Sequence, residues 1–265
     1  MRREKLLQNH SNDGTVQQLI LAADQFIVKR NIDSPGFSKV PSLGWDLGED
    51  AATIIAGYHW FTDWGRDTMI SLPGLCLSTG RFEDAKKIIT AFANSVSMGM
   101  LPNRFQDNNE PPEYNNVDGT LWYFIAIQKY LDLTGNKDFV IGKILPVLKD
   151  IIDWHFKGTR YNIHVDEDGL LYAGEEGQQL TWMDARIGSW VVTPRMGKPV
   201  EIQALWYNAL KIFAELLRMN DQEHDASLVE LSAVKAKEHF EKALKLTHSE
   251  TERKMRGNKI LSLTS

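Results

Sequence analysis

Cysteine is almost absent from this sequence. Cys76 is the only one in 265 residues, which excludes an internal disulfide framework and fits a reducing compartment. Long apolar runs are missing too, and none approaches the ~18 residues that a membrane-spanning helix needs. The opening Met-Arg-Arg-Glu-Lys-Leu-Leu has charges but no apolar stretch behind them, so no secretory signal is expected. Nor is there an excess of positive charge. The formal net charge is -5, with both signs scattered along the chain, which leaves no electrostatic footprint for nucleic acid or an anionic membrane. These absences predict a soluble cytoplasmic protein with neither nucleic acid nor membrane as partner.

Several chemical signatures are also lacking. No Gly-rich phosphate loop occurs, and no Gly-x-Ser-x-Gly elbow offers a serine nucleophile. The histidines form no His-x-x-x-His pair and have no cysteine companions, so neither a metal site nor a cofactor is expected. Of them only His59 falls in a candidate site loop. Low-complexity tracts, short repeats and Pro/Ser linkers are missing, so residues 1–265 read as one domain.

What is present is helical periodicity. Val16, Leu19, Ile20, Ala23, Phe26 and Ile27 recur at helical spacing, predicting a helix over 15–31. Phe82, Ala85, Ile88, Ile89, Phe92, Ala93 and Val96 do the same over 81–97. The stretch 117–133 is apolar nearly all round, as a helix buried between others must be. Further helices are expected near 66–79, 137–156, 200–218 and 222–246, with Pro73 kinking the first of these or confining it to short pieces. Strand signals are few: residues 53–60 are expected to pair with the segment before them, and 161–172 to form another hairpin. Long polar-aromatic loops, 57–67, 98–118 and 173–199, interrupt the helices at every second connection. Ordered loops of that length tend to be functional, and on alternate connections they would gather at one end of a helical barrel.

Those loops hold four of the eight tryptophans, among Asp, Arg and Asn. Ordinary core packing is the plain explanation for any one Trp. Together, flat apolar faces beside charged and amide groups suit a sugar, whose ring presents C–H surfaces and hydroxyls. In Trp60–Asp67, Arg66 and Asp67 are suited to bind adjacent hydroxyls; helix capping by Asp63 or Asp67 is the alternative. Asp118 and Trp122 lie four apart on one helical face, for hydroxyl recognition with a stacking wall, or with Asp118 as a dipole partner. Asp184 follows Trp182 and Met183, apolar neighbours of the kind that keep a carboxyl protonated, as a glycosidase acid requires. Arg186 would oppose this if it paired with Asp184. Glu201 opens a helix that also carries Trp206, a dipole-favoured place whatever its function.

In this order, Leu21–Phe26, Ile54–Ile70, Leu75–Arg81, Asn115–Asp118, Thr181–Asp184 and Val200–Trp206 resemble the amylo-α-1,6-glucosidase domain of glycogen debranching enzymes. The likeness covers roughly 16–218. It implies an all-α fold, an (α/α)6 toroid with small β-hairpin decorations, and hydrolysis with inversion of an α-1,6-linked glucose at a glycogen branch point. It further implies Asp184 as general acid, Trp64, Arg66, Asp67 and Asp118 as glucose contacts, and Trp122, Trp182, Glu201 and Trp206 as pocket walls. Glycogen or a branched α-glucan is the implied partner.

The chain departs from the family in the β-rich N-terminal domain it does not show, in segment 32–53, and above all in its second carboxylate. An inverting glycosidase needs a second carboxylate ~6.5–9.5 Å from the acid, and the family carries it in a Gly/His/Ser-rich loop near the C-terminus that this sequence does not show. The expectation is therefore a partial toroid of about seven helices with weak or absent hydrolysis, and exposed helix faces open to association. A glucoamylase-like α-glucosidase and a non-catalytic glucan-binding remnant fit the same residues.

Overall fold

The computed structural model describes residues 2–7, 13–30, 51–58, 61–106 and 110–261. In chain order the elements are α1 (Arg2–Leu7), α2 (Gly14–Phe26), β1 (Ile27–Arg30), β2 (Ala51–Ile54), α3 (Gly65–Leu72), α4 (Phe82–Asn94) and α5 (Asp118–Thr134). They continue with α6 (Lys137–Phe139), α7 (Leu145–Lys157), β3 (His164–Val165), β4 (Leu171–Tyr172), β5 (Arg186–Ile187), β6 (Trp190–Val191), α8 (Val200–Met219) and α9 (Glu223–Leu261). The fold is all-α, and among the described residues strands occur only as small antiparallel pairs.

The helices form two layers. α3, α5 and α8 pack side by side, while α4, α7 and α9 flank them. α5 sits in the middle of the inner layer, between α3 and α8, and so buries residues on all sides: Leu121, Tyr123, Phe124, Ile127 and Tyr130 are each at most 1% exposed. Each large side chain of this kind stabilises by roughly 1.5–3 kcal/mol. Gly135 ends α5 at φ 64, where its amide bonds back to the Leu131 carbonyl, a left-handed stop that glycine takes without strain. Alternation of inner and outer helices gives the three inner ones a common direction. Their N-termini lie at one end, where the long loops gather: Trp64 bridges to Arg104, and Val117 donates to the Leu180 carbonyl at 2.8 Å.

Several boundaries differ from the sequence expectation. The helix expected over 15–31 stops at Phe26, because Ile27–Arg30 pairs with Ala51–Ile54, Ile27 opposite Ile54. The first hairpin partner is therefore not the adjacent segment, and His59 and Trp60 lie outside the described residues. At Pro73 the stretch expected over 66–79 is confined to short pieces, α3 ending at Leu72. Residues Pro73–Leu77 pass through a π-helical turn closed by Ser78 N to the Pro73 carbonyl at 2.9 Å, which needs no amide from the proline. The hairpin expected within 161–172 is β3–β4, and an unexpected one, β5–β6, turns at Gly188 inside the longest loop. No helix among the described residues is long and apolar enough to cross a membrane. Cys76 is fully buried, and burial pushes its thiol up to about 12, so it packs rather than reacts.

Candidate functional site

Gly65 opens α3 in a tight place. Its amide donates to the Asn103 carbonyl at 2.8 Å, and a Cβ there would lie 2.1 Å from the Pro102 carbonyl oxygen. That close approach fixes the two flanking residues. Trp64 lies on one side, and Arg104 rests over its ring at 5.4 Å. Arg66 lies on the other, turned into the interior.

Arg66 joins two carboxylates from distant parts of the chain. Its Nε donates to both oxygens of Asp118 at 2.9 Å, and its Nη1 to Asp184 Oδ2 at 3.1 Å. Burial works against the Arg66 charge, but Asp118 and then Asp184 outweigh it and hold the guanidinium above its ordinary value. Asp118 is 2% exposed, and its Oδ1 also accepts from the Gly119 amide at 2.8 Å. Burial pushes its carboxyl up, with Arg66 opposing. Asp67 is the more exposed of the two, and desolvation raises it as well, against Arg66.

Asp184 does not have the apolar surroundings its neighbours suggest. Its side chain is 42% exposed, and its partner is Arg66. Arg186 turns away, with Nε on the Gly188 carbonyl at 2.8 Å. Asp184 and Trp64 both line a cleft of about 710 Å³, together with Arg104, Glu113, Tyr114 and Gln179 among others. Its floor is a short ladder in which residue 104 bridges both Trp64 and Glu113. Arg66 and Asp67 line a separate cavity of about 310 Å³ with Ile54, Ile70 and Leu75. The Arg66–Asp184 contact therefore lies at the wall between the two spaces.

Glu201 and Trp182 belong to a second polar group. Arg195 grips Glu201 with both terminal nitrogens, Nη2 to Oε2 at 2.7 Å, and also reaches Thr181 Oγ1 at 3.3 Å. Desolvation would raise the Glu201 carboxyl, but Arg195 and a hydrogen bond with Trp182 outweigh it and hold it below the usual range. Trp182 is 57% exposed. Trp122 is half-buried against the core, one turn beyond Asp118.

Trp206 is not brought to the cleft. It is fully buried, stacked on His155 at 5.7 Å, and its Nε1 donates to the Gly169 carbonyl at 3.2 Å. Its place on α8 faces inward against α7, so the helix needs it as packing. The sequence reading missed Arg104, Glu113, Gln179 and Arg195. Arg195 carries a faint signal, six residues before Glu201 in a loop; the others lie in stretches whose partners are set only by folding.

Two comparisons with known proteins bear on this site. Residues 21–263 match the amylo-alpha-1,6-glucosidase family. The chain is also similar to the glycogen debranching enzyme of Saccharomyces cerevisiae, 28% identical over 238 residues. That match takes in 68% of this chain and 15% of the yeast enzyme, so the chain spans only a small part of its relative's length. With the match extending over nearly all of α2 to α9, the chain belongs to the amylo-alpha-1,6-glucosidase family.

Proposed function

We propose that this domain binds the α-1,6-linked glucose of a branched α-glucan and protonates its glycosidic oxygen from Asp184, in an inverting hydrolysis. One observation carries the reading: Asp184 stands at the wall between the 710 Å³ cleft and the Arg66–Asp67 cavity, with only Oδ2 engaged by Arg66. A bond lying across that wall would place the glucose beside Arg66 and Asp67. Trp64 would supply an apolar face on the cleft side. The proton would travel on Oδ1, the oxygen Arg66 does not touch, to the leaving oxygen.

Inversion also requires a carboxylate to activate water. Asp118 is held by Arg66, Glu113 by Arg104 and Glu201 by Arg195. None of these accepts a proton from water without first giving up its arginine. That neutralisation favours a second reading, in which the 265-residue chain binds glucan with little turnover. Cytoplasmic glycogen breakdown is the setting in which either would act.

Glucose release from a branch-stub dextrin, measured beside an Asp184→Asn variant, tests the proposal. Turnover lost in the variant with dextrin binding retained is the expected result. Turnover kept by Asp184→Asn would remove Asp184 as the acid. Binding without release by the unaltered chain would leave the second reading.

A further inference from the structure

The proposed reaction asks Asp184 for a proton, yet the structure shows that residue in an ion pair. Its Oδ2 accepts from Arg66 Nη1 at 3.1 Å. Such a contact suits an ionised carboxylate, the ordinary form of an aspartate near neutral pH. A carboxylate in that form has no proton to give. The acid must be loaded before the bond breaks.

Arg66 grips its two carboxylates unequally. Its Nε lies 2.9 Å from both oxygens of Asp118, whose side chain is 2% exposed. Asp184 has the single, longer contact, and its side chain is 42% exposed. An entering ligand can reach the second grip and not the first. The third nitrogen, Nη2, makes no hydrogen bond among the described residues, and Arg66 lines the cavity proposed for the glucose. Asp118 therefore fixes the guanidinium in place, and Asp184 is the partner that a hydroxyl oxygen can replace.

No second cation stands ready to take Asp184 over. Across the cleft, Arg104 is paired with Glu113, Arg160 donates to the Ser97 carbonyl and hydroxyl, and Arg186 to the Gly188 carbonyl. On the helix side the other charges are Asp67 and Asp118, both negative, and negative neighbours favour a neutral carboxyl. The phenols of Tyr114 and Tyr161 on the same cleft are raised by burial and stay protonated near neutral pH. Loss of the Arg66 contact, with water excluded by a sugar, thus leaves the neutral acid as the favoured form.

We propose that a sugar hydroxyl entering the cavity takes Arg66 Nη1 from Asp184, and that the released carboxylate then takes up one proton from solvent. Binding loads the acid. The proton passes to the glycosidic oxygen as that bond breaks, and Asp184 returns ionised to Arg66 once the glucose has left. This rests on the proposed function, which supplies the role of Asp184 and the place of the glucose.

Glucose is the probe, since it is not itself hydrolysed. Its binding to the 265-residue chain is titrated calorimetrically at about pH 6 and pH 7, each in two buffers of different ionisation enthalpy, which counts the protons exchanged. The expected result is uptake approaching one proton per glucose, with affinity falling by up to about tenfold per unit rise in pH. Asp184→Asn, or Asp184→Ala if the first does not fold, is expected to bind glucose with no uptake. Glucose bound by the unaltered chain without uptake would overturn the inference and leave the proposed function standing. Equal uptake by the Asp184 variant would do the same, assigning the proton to another group such as Asp67. Binding of a branch-stub dextrin without binding of glucose overturns it as well, because the exchange needs only the sugar in the cavity. If the unaltered chain binds neither, the proposed function fails first and this inference with it.

Discussion

Asp118 shows how far a single residue can be read. Its position four residues before Trp122 suggested a carboxylate at a helix start, either a dipole partner or a sugar contact. In the structure its side-chain partner is Arg66. It neutralises Arg66 inside the protein, with 2% of its side chain exposed against 10% for Arg66. Removing one member of such a pair leaves the other charged and buried, which costs about 3–5 kcal/mol. Asp118→Ala is therefore expected to lower the unfolding free energy by about 3 kcal/mol or more, read from the urea midpoint. A loss below ~1 kcal/mol, the size of a surface pair, would contradict this placement. The residue types of the Arg66 group were legible in the sequence. Their pairing was not, because the partners stand 52 and 118 residues from Arg66, beyond the reach of any local pattern. Trp206 was misleading for the same reason: the residue is common to sugar sites and to cores, and only α7 packed against it decides.

Helices were the most legible elements, since periodicity and burial agree. α4, α5 and α8 begin and end within three residues of expectation, and the helix expected over 137–156 is divided into α6, a π-helical turn at Val140–Ile144 and α7. β1 was not, because Ile27 and Val28 continue a helical apolar pattern while favouring a strand equally well. A partner more than twenty residues away tips that balance. The short ladder under the cleft was equally hidden, being built from single bridges at 64, 104 and 113. It depends on Gly65, where a methyl would collide with the Pro102 carbonyl. Gly65→Ala is expected to destabilise by at least about 1–3 kcal/mol and to shift tryptophan fluorescence, since Trp64 is the adjoining residue. A thermal melt and emission spectrum unchanged from the original chain would count against this account of the ladder.

For the molecule as a whole, the contact between α7 and α8 sets a limit at acid pH. His155 is fully buried there, its Nδ1 2.7 Å from the Ile151 carbonyl oxygen and its Nε2 without a partner among the described residues. Burial lowers it from an ordinary 6.5 to about 4. The unfolded chain then takes up the proton first as pH falls. The stability this histidine allows is complete above about 6.5 and declines toward 4, by about 3 kcal/mol in all. Urea unfolding at pH 7 and near pH 4.5 is expected to show that decline, and a His155→Leu variant to show a smaller one. An equal decline in both would assign acid sensitivity to other groups. The overall fold class followed from the sequence because seven periodic stretches agreed. The division into cleft and cavity did not, since it arises where three loops meet.

The wall that separates those two spaces has a consequence in time. Arg66 comes with α3, Asp118 with α5, and Asp184 only with the loop before α8, and contacts of such long sequence separation carry a large loop-closure cost. A chain that has docked its first helices already owns the cation and one carboxylate, yet has no boundary between cleft and cavity. Sugar binding at Asp184, as proposed, would thus require the finished molecule.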